Sequence, residues 1–379
     1  MIRLTVPSID EEDLRVVREV LISGMMVQGS RVASFEQAIA NYVGRRYAVA
    51  VTNGTASLHL ALTALNIGPG DIVVTSAYSF VATANVVELC RAKPMFVDIH
   101  PDTFNLDSEC LEEAIEELMG KSKTASKVRA VLPVHIFGQM ADMPQILKIA
   151  QKRNLPVVED AACALGARLH GRQAGSWGIL GCFSFHPRKA ITTGEGGMIT
   201  SDDDKLVHKL RMLRNHGQIP DAVEPDFAVP GFNYRMTEFQ AALGSNQLCK
   251  LDRIISARRK LATRYGDLLS NVDVQTPTLD EGSEPVFQSY VVLLPRNLVA
   301  KRSALIKRLK DQGVETTIGT YNIPLTTYYR TRYDFRRGDF PVTDDVAERA
   351  LTLPLYEGLS AQQQDDVVKR VREGLHSLR

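Results

Sequence analysis

Between Tyr47 and Asp160 five short runs rich in apolar and β-branched residues, YAVAVTN, DIVVTSAY, PMFVDI, RAVLPVHI and LPVVED, alternate with longer connecting stretches. Each run has the length of a strand. TASLHLALTALN after the first and QILKIAQKR before the last carry the pattern of helices. Strands that alternate with helices predict a mostly parallel sheet covered on both faces, with functional groups gathered at the carboxyl ends of the strands. The expected class is therefore α/β.

The flanking segments extend this plan. Ser8 and Glu11 match an S-x-x-E capping box, and Leu14, Val17, Val20 and Leu21 then recur at helical spacing until Gly24. A second amphipathic helix covers about residues 31–43. After Ser201, DDDKLVHKLRMLRNHG predicts a helix closed by Gly217, and a polar, proline-containing stretch runs to Pro230. Thr237 and Gln240 then open a long helix that continues through DRIISARRKLATRYGDLL. The domain boundary is placed in that helix, giving a large domain over 1–245 with an N-terminal helical segment. A smaller C-terminal α+β domain over 246–379 contains VFQSYVVLL, SALIKRLKDQG, VETTIGTY, TDDVAERAL and AQQQDDVVKRVREGLHSL. A chain of 379 residues is long enough for two such units.

Charge and composition narrow the function classes. Lys plus Arg number 45 against 44 Asp plus Glu, a formal net charge of +1, so no global field draws nucleic acid or an anionic membrane. No basic segment followed by an apolar core opens the chain, and no run of 18 apolar residues occurs, so a soluble cytoplasmic protein is expected. The five cysteines are scattered, with no CxxC, and the eight histidines show no HExxH, so no metal site is expected.

Chemistry concentrates around one lysine. In SFHPRKAITTGEGG, from Ser184 to Gly197, Lys189 lies in a connection between two short strands, CFSFH and GGMIT, among small, hydroxylated and glycine residues. A lysine so held acts as an amine nucleophile towards carbonyls, although a lysine in a surface hairpin would look the same. Asn53-Gly54-Thr55-Ala56 joins a strand to a helix, where backbone N–H groups and the helix dipole make an anion site; most such turns only turn the chain. Asp160 ends LPVVED, where a carboxylate would be buried unless it met a positive partner or capped the following ALGA. The Ser184 hydroxyl, near Lys189, can join Thr55 at the same phosphate. A phosphate cradle, a buried acid and a shielded lysine together describe a pyridoxal phosphate site.

The residues NGTASLHLAL, SFVATAN, FVDIHPDTFNLD, LPVHIFGQMADM, VVEDAACALGA, SFHPRKAITTGEGG, GFNYRMTEFQAALG and LTLPLYEGLS, in this order and spacing, resemble the DegT/DnrJ/EryC1/StrS family of sugar aminotransferases over nearly the whole chain. That family shares the fold type I architecture of aspartate aminotransferase, which implies a mostly parallel sheet of seven-stranded type in the large domain. The resemblance implies that Lys189 is the Schiff-base lysine and catalytic base, and that Asp160 is the partner of the pyridine nitrogen. It implies further that Gly54, Thr55, Ala56 and Ser184 hold the phosphate and that Phe80 stacks on the cofactor ring. Asn233 would reach the phosphate of a neighbouring subunit, so a homodimer with shared active sites is expected. Cys163 stands where the family commonly has Gln or His beside the phenolic oxygen, and Ala190 where Asn often follows the lysine. His186 and Tyr321 are candidate substrate contacts, with local packing or hydrogen bonding the alternative for His186 and a packing role equally open for Tyr328 and Tyr329. Because dehydratase relatives replace the lysine by His, Lys189 favours transamination.

The expected reaction moves an amino group, through pyridoxamine phosphate, from L-glutamate to a nucleotide-linked 3- or 4-keto-6-deoxyhexose. A cyclitol ketone such as an inosose is the alternative substrate, and a noncatalytic PLP-binding regulatory protein the alternative role. A nicotinamide-dependent dehydrogenase is disfavoured, since NGTAS, not G-x-G-x-x-G, follows the first strand.

Overall fold

A computed structural model describes residues 1–121, 124, 127–220 and 223–378. Seven strands build the central sheet: β1 Tyr47–Val51, β2 Ile72–Ser76, β3 Lys93–Val97, β4 Val128–Leu132, β5 Val158–Asp160, β6 Leu180–Ser184 and β7 Gly197–Ser201. Their spatial order is β1-β7-β6-β5-β4-β2-β3, with β4 and β5 joined by the parallel bridges Val131↔Val157 and Val134↔Asp160. β7 runs antiparallel to both its neighbours, and the other pairings of the sheet are parallel. The expected mostly parallel α/β sheet is present.

Apolar residues occupy both faces because alternate side chains of a strand point to opposite sides. Ala48, Ala50, Val74 and Val131 pack with helices α2 (Ser30–Val43), α5 (Ser108–Gly120) and α6 (Met143–Gln151) through Phe35, Ile39, Leu111, Ile115 and Ile146. Val49, Val51, Val73, Leu132 and Ile199 pack on the other side with α3 (Gly54–Ala64), α4 (Ala82–Leu89) and α7 (Asp204–Arg214) through Leu58, Leu60, Val86, Val87 and Leu210. A sheet with two dry faces leaves only its strand ends for chemistry.

Helix α8, Glu238–Leu269, has 32 residues, a length of about 48 Å at 1.5 Å per residue. Its N-terminal part, through Ile255, contributes Ala241, Leu251, Ile254 and Ile255 to the first core; Ala262, Tyr265 and Leu269 belong to a third. That third core also contains β8 (Tyr290–Leu293), antiparallel to β9 (Ala350–Leu353), with α9 (Arg302–Asp311) and α12 (Ala361–Leu378). Residues 2–4 run along it: Ile2 N–H donates to the Gly313 carbonyl at 2.7 Å, and Leu355 N–H to that of Leu4 at 3.1 Å.

Local details depart from the sequence reading at three points. Helix α1, Glu11–Ser23, is capped by Asp10 with Asp13 as its reciprocal partner, while the Ser8 hydroxyl donates to Glu357 at 2.7 Å. The carboxylate of Asp10, closer to the helix, wins the cap that was expected of Ser8. Helix α7 ends at Arg214, short of Gly217. In VETTIGTY only Tyr321 enters a strand, the two-residue Tyr321–Asn322, which pairs with Tyr78–Ser79 of the large sheet's flank. Two further helices, α10 (Thr327–Tyr333) and α11 (Pro341–Arg349), complete this part. The polar stretch before Pro230 includes residues 221 and 222, which lie outside the described residues.

Candidate active site

The first component is the turn between β1 and α3. Asn53 caps the helix: its Oδ1 accepts from Ala56 N–H at 2.8 Å and its carbonyl from Ser57 N–H at 3.1 Å. A helix start has four N–H groups without intrahelical acceptors, so those of Gly54 and Thr55 are left for an anion, and that of Ala56 is already engaged. A Cβ on Gly54 would stand 2.7 Å from the Ser184 Cβ, and one on Gly197 would stand 2.4 Å from the Asn53 carbonyl oxygen. Only glycines let β6 and β7 come this close to the turn. Their closeness sets Ser184 against the positive end of the α3 dipole.

The second component is Asp160, at the carboxyl end of β5 and only 5% exposed. Thr83 donates its hydroxyl to Oδ2 at 2.8 Å, and Ala162 N–H donates to Oδ1 at 3.2 Å. Ser79 supports Thr83 from 2.9 Å. Burial pushes the carboxyl above its ordinary range, against the Thr83 and Ala162 hydrogen bonds and the positive charge of Lys189. No ion pair reaches it among the described residues. A carboxylate held this way is a socket for a cation.

The third component is the β6–β7 connection. Lys189 is half-buried, its N–H bonded to the His186 carbonyl at 2.8 Å, and its Nζ donates to Cys163 Sγ at 3.0 Å. Cys163 therefore faces the lysine directly. His186 is tied into the same turn, its Nδ1 accepting from Arg188 N–H at 3.2 Å. Burial lowers the His186 pKa, with Glu195 opposing and Lys189 and Arg188 reinforcing, so it is neutral at pH 7.

Phe80 is 59% exposed although aromatic, and its ring lies 6.1 Å from that of Tyr321, which the small two-stranded pairing carries across from the C-terminal part. Phe80 is linked to Asp160 through the turn in which Thr83 N–H donates to its carbonyl. Asn233 is exposed, and its side chain has no hydrogen-bond partner among the described residues. It sits between Phe232 and Tyr234, whose rings stack at 4.9 Å, with the Tyr234 carbonyl accepting from Thr52 N–H in the turn between β1 and α3.

Sequence reasoning missed the layer beneath. Glu159 is fully buried and accepts four hydrogen bonds: from His135 Nε2 at 2.9 Å, Gly175 N–H at 2.8 Å, and Trp177 and Gly178 N–H at 2.7 Å. Ala141 N–H donates to His135 Nδ1 at 3.2 Å, which places the ring proton on Nε2, facing Glu159. Burial acts to raise the Glu159 pKa, but the His135 bond and the backbone amides outweigh it and hold it below the usual range. Thr83 was equally invisible, although it lies inside the quoted SFVATAN.

The residues fit a cofactor with a phosphate, a cationic ring nitrogen and a carbonyl: two free N–H groups and a hydroxyl, a buried carboxylate without a cation, and a primary amine. The seven-stranded mixed sheet and these strand-end groups define the class of the fold type I aminotransferases, whose cofactor is pyridoxal 5′-phosphate. The chain belongs to the DegT/DnrJ/EryC1/StrS aminotransferase family, whose profile matches residues 7–372. It is 39% identical to the GDP-perosamine synthase of Caulobacter vibrioides over 90% of this chain and 89% of that one. Helicobacter pylori PseC, an aminotransferase involved in the biosynthesis of pseudoaminic acid, superposes with a TM-score of 0.91 at 26% identity over 99% of both chains. S. venezuelae DesV, solved in complex with a ketimine intermediate, superposes with a TM-score of 0.88 at 32% identity over 96% of this chain and 94% of the other. The protein is an aminotransferase. Among the described residues no helix is long and apolar enough to cross a membrane, and no cluster of His, Cys, Asp and Glu is placed to hold a metal.

Proposed function

We propose that this aminotransferase transfers the amino group of L-glutamate to a nucleotide-linked 3- or 4-keto-6-deoxyhexose, with Lys189 and Asp160 as its catalytic residues. The observation that carries the site reading is Asp160: buried, fixed at both oxygens, and without a cation beside the half-buried Lys189. The sugar reading rests on relatives such as the GDP-perosamine synthase.

Gly54 and Thr55 N–H and the Ser184 hydroxyl would hold the phosphate, Phe80 would cover the ring face, and Cys163 would lie at the ring edge. The cofactor, once bound, supplies a carbonyl that carries the amino group and a ring that accepts electrons from the substrate carbon. Asp160 would hold the ring nitrogen in its protonated form, the two opposite charges compensating each other in the buried site. Lys189 Nζ would hold the cofactor's carbonyl carbon and, when free, would be the base that moves a proton to and from the reacting carbon. His186 and Tyr321 would contact the substrate.

We read the active unit as a homodimer. Leu14, Leu21, Ile22, Met25 and Val27, on α1 and just after it, are exposed apolar side chains, and the free side chain of Asn233 suits a contact with the partner's phosphate. Sedimentation of the purified protein as a monomer would refute the dimer.

Borohydride reduction followed by peptide mapping should fix the cofactor on Lys189. Sustained amine exchange between glutamate and cofactor by Lys189→Ala would refute the catalytic assignment. A screen of dTDP-, UDP- and GDP-linked keto-sugars and of inososes for glutamate-dependent amination tests the substrate; turnover of an inosose alone would overturn the nucleotide-sugar reading.

A further inference from the structure

Lys189 Nζ and Cys163 Sγ are 3.0 Å apart, and both residues are half-buried, open to a small oxidant. Neither backbone is free to drift. Lys189 is pinned by its 2.8 Å bond to the His186 carbonyl, and Cys163 sits in the turn closed by Ala164 N–H on the Ala161 carbonyl at 2.9 Å. All five cysteines are free thiols. The neighbours of the others are hydroxyls, carboxylates and carbonyls: Thr63 for Cys90, Asp107 for Cys110, Ser57 for Cys182 and Ser245 for Cys249. Among the described residues Cys163 is the one bonded to an amine.

We propose that Cys163 and Lys189 form a redox modification site, in which dioxygen joins Nζ to Sγ through a single bridging oxygen whenever the lysine is not engaged by cofactor. A neutral amine, a thiol and one O2 give the N–O–S bridge and one water. One N–H and the S–H bond break, and N–O and O–S bonds form. Sulfur and nitrogen lose two electrons each, which reduce both oxygen atoms; one becomes the bridge, and the other leaves as water with two of the three protons. Two molecules of a dithiol reverse the step, returning four electrons and releasing the bridge oxygen as water. The distance selects this product. Even an S–S bond is only about 2.05 Å long, so a direct N–S bond would require the atoms to close by about an ångström, whereas one intervening oxygen fits the observed gap. Oxidation of a thiol that has no partner stops at the sulfenic acid or proceeds irreversibly; the amine captures it in a reducible form.

The cross-link follows from the Lys–Cys geometry alone, while its consequence, that the modified protein cannot load cofactor, rests on the role proposed for Lys189. The test uses wild-type protein, cofactor-free and pyridoxal-phosphate-loaded, incubated in air-saturated buffer and digested without reductant. Mass spectrometry should find the Cys163 and Lys189 peptides joined in the cofactor-free sample, with a net gain of one oxygen and loss of two hydrogens. The species should be absent from the loaded sample, disappear with dithiothreitol, and be lost in Cys163→Ser but retained in Cys249→Ser. A Cys163 that stays reduced, ends as an unlinked oxyacid, joins another cysteine, or joins Lys189 without the oxygen overturns the proposal. Equal cross-linking in loaded and cofactor-free protein upholds the modification and overturns Lys189 as the cofactor's anchor.

Discussion

Replacing Glu159 by Gln should unfold this protein far more readily than any change at its surface. The four donors on Glu159 divide between its oxygens: Trp177 and Gly178 N–H on Oε1, Gly175 N–H and His135 Nε2 on Oε2. Gln keeps one acceptor oxygen and offers an NH2 in place of the other, so two donors meet a third donor whichever way the amide is turned. His135 cannot relieve the conflict by moving its proton, because Nδ1 already accepts from Ala141 N–H. Each orphaned buried donor costs about 1–3 kcal/mol, so the loss should be about 2–6 kcal/mol, against a total stability of about 5–15 kcal/mol for a typical domain. Urea unfolding of the cofactor-free protein should show a lower midpoint at unchanged slope. The effect must also fade with acid. Glu159 has a folded-state pKa below the ordinary glutamate value of 4.5, so its contribution is complete above that pH and is lost as pH falls through the depressed value. A Glu159→Gln protein within about 0.5 kcal/mol of wild type at pH 7, the range of ordinary surface changes, would refute the reasoning.

Asp160→Asn should do the opposite. The folded-state pKa of Asp160 is raised, chiefly by burial, so ionisation weighs against the cofactor-free fold increasingly as pH rises, and Asn should raise the unfolding midpoint at pH 7 while lowering turnover by at least about 100-fold; a destabilised Asn variant would count against this. Gly54→Ala would push a Cβ to 2.7 Å from the Ser184 Cβ and should cost about 1–3 kcal/mol of stability. Its pyridoxal phosphate affinity, measured by absorbance titration, should fall by more than its affinity for the cofactor lacking phosphate, and equal losses would deny Gly54 its place in the cradle. Thr83→Val removes a hydrogen bond to a carboxylate worth about 1.5–3 kcal/mol; it should slow the first half-reaction with glutamate in stopped-flow measurements, and an unchanged rate would show that Thr83 does not support Asp160.

The sheet was legible because its strands are apolar on both faces, and the site because Gly54, Asp160, Ser184 and Lys189 each close or follow a strand. What escaped the sequence were contacts that couple distant segments through polar atoms. Nothing in LPVVED distinguishes Glu159, buried under the Gly175–Gly178 turn, from a solvated acid, and His135 lies 24 positions away. Thr83 reads as one more small residue of α4 until the fold brings it to Asp160. The cap of α1 failed for a nearer reason: Ser8 and Asp10 both suit an N-cap, and the choice depends on Glu357 drawing the Ser8 hydroxyl towards the far end of the chain.

The antiparallel strand β7 sets an order of events during synthesis. β1 finds its register only with β7, Tyr47 opposite Ser201 and Val51 opposite Gly197, so the first strand of the sheet to leave the ribosome must wait for the last. Until then both edges of β1 are unpaired and the turn leading into α3 lacks the strand that packs against it at Gly197. The loop bearing Lys189 is therefore drawn into place by the same closure that completes the sheet, and a nascent or truncated chain ending before Ser201 would present neither the Gly54–Ser184 approach nor a positioned amine. Competence to take up cofactor would then mark a finished sheet, which makes cofactor uptake a readout of sheet closure.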